Sequence, residues 1–311
     1  MSTSTSPAQS SSTETSLTAR PAVAVSSIPA ELATPPQSLH DTLPGNTVVL
    51  PGADATEHAL LESVREVLGD GALRDFDAFE LPAGFKVTIL MPVYNERKTI
   101  HQILTKVRAL PLPKEVIVVD DGSTDGTREL LKSFRCSAEL RVLFHSHNQG
   151  KGAALRTAMA SATGDVVVIQ DADLEYDPTE FLKLIRPIVE DRADVVYGSR
   201  FLNGKPKSQT WQHWLANRLL TALSNLCLDL ELTDMETCQK VFRRKSLRGI
   251  RIAQNRFGVE PELTAKIARR GCRVVELPIV YRGRDVKEGK KIGLKDAFSA
   301  LWCIARYSLA D

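Results

Sequence analysis

A chain of 311 residues, 43% hydrophobic and 25% charged, has the material for one large domain or two small ones with a substantial core. Its formal net charge of +2 excludes bulk nucleic-acid binding through overall charge. Basic residues do gather late, in VFRRKSLRGIR and RGRDVKEGKK, a local argument for an anionic ligand or an anionic lipid surface. Five scattered cysteines with no C-x-x-C pair indicate neither a disulfide framework nor a zinc site, and fit a reducing compartment. No run approaches the roughly 18 apolar residues of a membrane span. The N-terminus lacks the basic start and apolar core of a signal peptide. The expected location is the cytoplasm, with peripheral contact at the inner face of the membrane as an extension of that expectation.

In chain order, residues 1–50 are rich in Ser, Thr, Pro and Ala without apolar periodicity, and are expected to form a disordered tail. Residues 51–84 read as a linker with a short amphipathic helix in ATEHALLESVREVL, which sets Leu60, Leu61, Val64, Val67 and Leu68 on one side. From residue 85 to 311 a single α/β domain is expected. KVTILM, KEVIVVD, LRVLFH and DVVVIQ read as strands, separated by helices in RKTIHQILTKVRAL, TRELLKSF and GKGAALRTAMASA. Continuous β-branched runs alternating with helical patterns predict a mostly parallel sheet covered on both faces. Such sheets bind ligands beyond the carboxyl ends of their strands. The polar turns PVYNE, DDGSTDG, HNQGKG and DADLE all fall at those ends and should line one crevice.

Asp171, Asp173 and Glu175 follow the strand DVVVIQ at alternate positions, so an extended stretch would aim them the same way. Two carboxylates about 4 Å apart repel by roughly 4 kcal/mol at an effective dielectric near 20. Their convergence calls for a cation or a shared proton. Hard oxygen donors suit Mg²⁺ or Mn²⁺, which keep one or two protein carboxylates and take other ligands from phosphate and water. The competing reading, capping of a helix after Pro178, covers Asp177 and could cover Glu175 but not Asp171. In VVDDGSTDGT the residues suit turn and cap formation, or a carboxylate that accepts hydrogen bonds from a nucleobase. Gly150 and Gly152 flank Lys151 at a helix start, where backbone N–H groups attract anions, without matching a P-loop or a dinucleotide fingerprint.

Taken in this order and spacing, PVYNE, DDGSTDGT, NQGKGAA and DADLE resemble the family 2 glycosyltransferases of GT-A fold. The likeness is to the dolichyl- or polyprenyl-phosphate hexose synthases, dolichol-phosphate mannosyltransferases included, and runs from about Val87 to Tyr307. The resemblance implies a Rossmann-like sheet and an inverting transfer of a hexose from a nucleotide-diphosphate sugar, GDP-mannose or UDP-glucose, to a polyprenyl phosphate. It implies that Pro92, Tyr94 and Glu96 contact base and ribose, that Asp121 reads the base edge and that Lys151 lines the nucleotide site. Asp171 and Asp173 match the family's D-x-D, which grips the donor diphosphate through Mg²⁺ or Mn²⁺. Glu175 stands where the mannose enzymes often carry Gln, and as a carboxylate it should still bind metal.

VVYGSRF resembles the G-S-R strand end, making Arg200 a candidate for the donor phosphates. LTDMETCQKVFRR would put Asp234 and Glu236 on the acceptor side; a plain surface turn is the alternative. Glu260 and Glu262 would either order the sugar site or favour a helix N-terminus. YRGRDVKEGKKIG resembles the family's mobile phosphate-closing segment, with Arg284, Lys290 and Lys291 as its contacts. The last helix is expected to pack on the sheet, with contact at a membrane interface as the alternative. A divalent ion on Asp173, with Arg200 and the basic segment, would stabilise the leaving diphosphate. A phosphate acceptor needs no strong base, whereas an alcohol or polysaccharide acceptor would need a carboxylate, for which Asp234 is the expected residue. Two other classes share some of these features: a sugar nucleotidyltransferase, which should carry a Gly-rich basic signature where PVYNE stands, and a non-catalytic nucleotide-sugar binding protein.

Overall fold

Apolar β-branched runs become the strands of one seven-stranded sheet in the computed structural model, which describes residues 81–206, 208–283 and 294–309. The expected tail over 1–50, the linker helix, and Arg284, Lys290 and Lys291 lie outside the described residues. The strands are β1 (Val87–Val93), β2 (Lys114–Asp120), β3 (Leu140–Phe144), β4 (Val166–Ile169), β5 (Val195–Ser199), β6 (Lys240–Arg243) and β7 (Val274–Pro278). The described helices are α1 (Ile100–Ala109), α2 (Thr127–Ser133), α3 (Lys151–Met159), α4 (Phe181–Val189), α5 (Trp211–Leu228), α6 (Arg244–Leu247), α7 (Val259–Arg269) and α8 (Leu294–Leu309).

The sheet order is β3-β2-β1-β4-β6-β5-β7, and β6 alone among these strands runs antiparallel to its neighbours. Val93 pairs with Asp120 and Leu90 with Ile169, so the loops that leave β1, β2 and β4 emerge side by side. Each of the first four strands is where its apolar run predicts it. On one face Ile89, Met91, Val116 and Val118 pack under α1, α2 and α4. On the other, Leu90, Ile117, Val167 and Phe242 pack under α3 and α7. Burial on both faces explains why these strands read as continuous apolar runs rather than alternating ones.

The last helix packs into the domain, but on helices rather than directly on the sheet as expected: Cys303, Ile304 and Tyr307 enter the second core and α8 contacts both α7 and α5. Asp177 proves to be a cap, its Oδ1 accepting from the Thr179 N–H at 3.1 Å ahead of the short 3₁₀ turn Pro178–Glu180. The glycines around Lys151 have a packing reason beyond any anion. A methyl on Gly152 would collide with the Gln254 carbonyl oxygen, and one on Gly150 with that of Asn255, because segment 254–256 crosses the start of α3. Gly152→Ala is therefore expected to destabilise the domain by about 2 kcal/mol or more, since one rigid backbone must move off another. An unchanged melting temperature in calorimetry would refute this close approach.

Candidate active site

The strand-end loops enclose a cavity of about 820 Å³. Pro92, Tyr94 and Glu96 from PVYNE, Asp121 from DDGSTDG, Lys151 from α3, Asp171, Asp173 and Glu175 from DADLE, and Arg200 after β5 all border it. Four motifs far apart in sequence thus meet because their strands lie adjacent and parallel.

The first two loops are stitched together by side chains. Asn95 adopts a left-handed φ of 55° and its Oδ1 accepts from the Thr124 N–H at 2.8 Å, while the Asn95 N–H donates to Ser123 Oγ at 2.9 Å. Asp120 is buried against Arg128, Nε to Oδ2 2.7 Å. Asp121 is 2% exposed and holds the next loop: its oxygens accept from the N–H groups of Gln149 (2.9 Å) and Gly150 (2.7 Å). It also shares a 2.7 Å contact with His145 Nδ1, while His145 Nε2 meets Thr157 Oγ1 at 2.9 Å. His145 is thus engaged as an orienting residue rather than held ready for a metal.

In DADLE the turn depends on Leu174 at φ 64°, a conformation that an L-residue adopts only when its surroundings enforce it. Asp173 Oδ1 accepts from the Glu175 N–H at 3.1 Å, and Glu175 Oε2 accepts from the Tyr281 hydroxyl at 2.7 Å. Asp171 faces Lys151, whose Nζ lies 3.0 Å from Oδ1. Burial pushes the Asp171 carboxyl up, but Lys151, a hydrogen bond with Cys238 and the charge of Lys240 together outweigh it and leave it below the usual carboxylate range. Lys151 also meets Glu260 at 3.1 Å and Cys238 Sγ at 3.0 Å, and Glu260 pairs in turn with the fully buried Lys240. Burial chiefly, then Asp171, raises the Cys238 thiol, which marks it as an unreactive wall residue.

Among the described residues no three His, Cys, Asp or Glu side chains stand ready as a metal cage. Asp171 is paired with Lys151, and Asp173 and Glu175 follow it on the same turn at the border of the cavity. One or two hard oxygens, completed by phosphate and water, fit Mg²⁺ or Mn²⁺ and do not fit a softer metal.

Arg200 and Asp234 form a bidentate pair, Nε to Oδ2 2.6 Å and Nη2 to Oδ1 2.7 Å, and the Arg200 N–H adds a third bond to Oδ2 at 3.0 Å. Asn217 of α5 donates to Asp234 Oδ1 at 3.2 Å. The Arg200 guanidinium lies 5.3 Å from the ring centroids of Phe201 and Tyr281, so it is fixed from every side. Asp234 is 0% exposed and does not border the cavity; its place in the structure is to hold Arg200. Glu236 does border it. Burial, and secondly the negative Glu260, push its carboxyl up to about 7, and its Oε1 is buried without a hydrogen-bond partner among the described residues. Of the two residues left open in the sequence reading, Glu260 belongs to the cavity wall. Glu262 lies outside it, accepting from the N–H groups of Ala253 (2.7 Å) and Gln254 (2.8 Å) and pairing with Lys266.

Raised pKa values carry a stability consequence. Glu236 in the folded chain binds its proton more tightly than the ordinary carboxyl, value 4.5, of the unfolded one. The stabilisation from that proton is complete below about pH 4.5 and is lost as pH rises through about 7. Glu236→Gln is expected to show a flatter decline of melting temperature between pH 5 and pH 8 than the parent chain (roughly one group's titration). Parallel declines in the two proteins would show that Glu236 is not held protonated.

Tyr281, Asn217, Arg256 and Asn148 were not singled out from the sequence, yet Tyr281 and Asn217 orient Glu175 and Asp234, and Arg256 and Asn148 border the cavity. Asn148 and Tyr281 open the motifs NQGKGAA and YRGRDVKEGKKIG, whereas Asn217 and Arg256 carry no local motif and are found by proximity in space.

This fold and site define a member of a known class. The chain matches Glycosyl transferase family 2 over residues 88–251 and belongs to that family. Curated relatives include Glycosyltransferase AglJ of Haloferax volcanii, 31% identical over 66% of this chain and 65% of that one. A dolichol-phosphate mannosyltransferase of Pyrococcus furiosus is 28% identical over 67% and 60%, and an undecaprenyl-phosphate mannosyltransferase of Micrococcus luteus 29% identical over 67% and 88%. The chain therefore spans less than two thirds of the length of AglJ and of the Pyrococcus enzyme. Among solved structures, glucosyl-3-phosphoglycerate synthase of Mycobacterium tuberculosis, in complex with Mn²⁺, UDP and phosphoglyceric acid, shares the fold with a TM-score of 0.56 at 21% identity, over 85% and 86% of the two chains. No described helix is long and apolar enough to cross a membrane.

Proposed function

We propose that this chain transfers a hexose from a nucleotide-diphosphate sugar, GDP-mannose or UDP-glucose, to a polyprenyl phosphate, with Mg²⁺ or Mn²⁺ bound at Asp173 and Glu175. The observation that carries the reading is the single cavity in which the acidic turn, Lys151 and the braced Arg200 face the same space. Pro92, Tyr94 and Glu96 are assigned to base and ribose, and Asp121 to the base edge while it orients residues 149–150. Arg200, kept rigid by Asp234, meets the charge that develops on the leaving diphosphate without reorganising during the reaction. The cation supplies further neutralisation of that charge when bound. Arg284, Lys290 and Lys291 are proposed to close on the phosphates.

A lipid acceptor is supported by the helices that flank the cavity. On α5, Trp211, Leu215, Leu219 and Leu226 form an exposed stripe, and on α8 so do Phe298, Leu301, Trp302 and Leu309. Ala216 and Leu220 of α5 and Ala297 and Ala300 of α8 continue into the cavity wall. Apolar stripes with a tryptophan each suit contact with a bilayer surface, where the acceptor resides. The reading is tested by incubating the protein with GDP-mannose or UDP-glucose, undecaprenyl phosphate and Mg²⁺ or Mn²⁺, and following sugar into the lipid phase. Transfer from one donor, abolished by EDTA, is expected; no lipid product with either donor would overturn it.

A second reading rests on Glu236. A cavity-facing carboxyl raised to about 7 is poised to take the proton of an acceptor hydroxyl, a task a phosphate acceptor does not impose. Product formed on a soluble alcohol or glycan in the same screen, and lost in Glu236→Gln, would favour that acceptor class.

A further inference from the structure

The basic run VFRRKSLRGIR plays no part in the cavity described above. It forms β6, the short helix α6 and the loop after it, and it borders a second cavity of about 500 Å³. Val167 at the amino end of β4, and Met159, Ala160 and Ala162 at the far end of α3, share that border. The first cavity takes the opposite ends of the same elements: Asp171 beyond β4 and Lys151 at the start of α3. Along α3 the first cavity takes Lys151 and Ala154, and the second takes Arg156 and Met159.

The make-up of the second cavity is unusual for this protein. Its floor is apolar, from Val167, Leu247, Ile250 and Ile252, and its rim carries Arg156, Arg244, Arg248 and Arg251. Arg156 is engaged, donating to the Ile252 carbonyl at 3.0 Å and to Asn255 Oδ1 at 2.9 Å. Arg244, Arg248 and Arg251 are exposed, and none has an ion pair or side-chain hydrogen bond with the described residues. Four other arginines are matched with acids, in Arg128–Asp120, Arg141–Glu115, Arg243–Asp191 and Arg273–Asp194. Carboxylates linked to this run through Arg244 N–H to the Asp165 carbonyl, Lys245 to Asp194 and Lys266 to the Arg251 carbonyl are committed: Asp165 to the Lys86 N–H at 3.0 Å, Asp194 to Arg273, and Glu262 to Lys266 at 2.8 Å. Three like charges kept together without an acid repel one another, and an anion removes that repulsion. Guanidinium groups match phosphate oxygens in paired hydrogen bonds, and the apolar floor offers burial to a body attached to the phosphate.

We propose that this cavity is a second, non-catalytic binding site for a phosphate-bearing ligand with an apolar body, held at its phosphate by Arg244, Arg248 and Arg251. The inference stands apart from the proposed transferase reaction. Two sources share the ligand chemistry: a soluble phosphate monoester and the headgroup of an anionic lipid. The test uses the full chain and a triple variant, Arg244→Ala, Arg248→Ala and Arg251→Ala, with the single variant Arg248→Glu in reserve should the triple fail to fold. One arm measures 1-naphthyl phosphate by calorimetry; the other measures co-sedimentation with phosphatidylglycerol vesicles against phosphatidylcholine vesicles.

The parent chain is expected to bind at least one probe, and the triple variant to bind it at least roughly tenfold more weakly, since each lost contact is a charge-assisted hydrogen bond. Loss confined to naphthyl phosphate assigns a soluble ligand, and loss confined to phosphatidylglycerol-dependent sedimentation assigns a headgroup. Equal binding of both probes by parent and variants, or no binding by the parent, overturns the site.

Discussion

Asp173→Asn is expected to lose metal-dependent sugar transfer by roughly a thousandfold or more while keeping its melting temperature. The effect on rate follows from the role proposed for the residue. A carboxylate that binds the cation beside a leaving diphosphate acts on charge that develops in the transition state, and removing such a group costs on the order of 3–4 kcal/mol of barrier, with the cation's own contribution added. The small effect on stability follows from position. Asp173 lies on a half-buried turn at the mouth of the sheet, and its Oδ1 accepts from the Glu175 N–H, a bond that an amide oxygen can keep. Turnover in the presence of excess Mn²⁺, measured beside calorimetric melting, checks both halves. A variant that retains full activity would remove Asp173 from the chemistry; one that melts early would give it a structural role instead.

The second large effect concerns Asp234 and runs the other way, toward stability. Replacing Asp234 by Asn leaves the buried Arg200 guanidinium without the carboxylate that accepts two of its hydrogen bonds and a third from the Arg200 backbone N–H. Breaking one side of a buried ion pair costs about 3–5 kcal/mol, a fall in melting temperature of roughly 10 °C for a domain of this size. The paired change Arg200→Gln with Asp234→Asn should recover part of that loss, because no unpaired charge then remains buried. Transfer should be impaired in both variants, through a misplaced Arg200 in the first and its loss in the second. Were Asp234 instead a proton acceptor, Asp234→Asn would melt normally and its residual rate would lose its dependence on pH. That pattern would overturn the positioning role assigned here.

Much of the site was legible because local patterns carry it. A strand followed by a polar turn announces a position at the sheet's carboxyl edge, so PVYNE, DDGSTDG and DADLE could be placed together before any coordinates. Partnerships were not legible. Nothing in DADLE says that Asp171 faces Lys151, 20 residues earlier. Asp234 and Glu236 stand two positions apart in one acidic turn, and nothing in LTDMETC says that the first is sealed against Arg200 while the second opens on the cavity. Glycines 150 and 152 suggested an anion cradle, and the close approach of segment 254–256 gives them a separate purpose.

By itself, then, the order of residues determined the first four strands, their alternation with helices, the edge where chemistry gathers and the family, since periodicity and turn chemistry act over a few neighbours and survive without tertiary context. Only the folded chain decided that β6 enters antiparallel between β4 and β5, which carboxylates face cations, and which are pushed up toward neutrality by burial. The reason is electrostatic range. A charge inside a protein responds to whatever lies within several ångströms, and those neighbours come from strands and helices tens to a hundred residues apart.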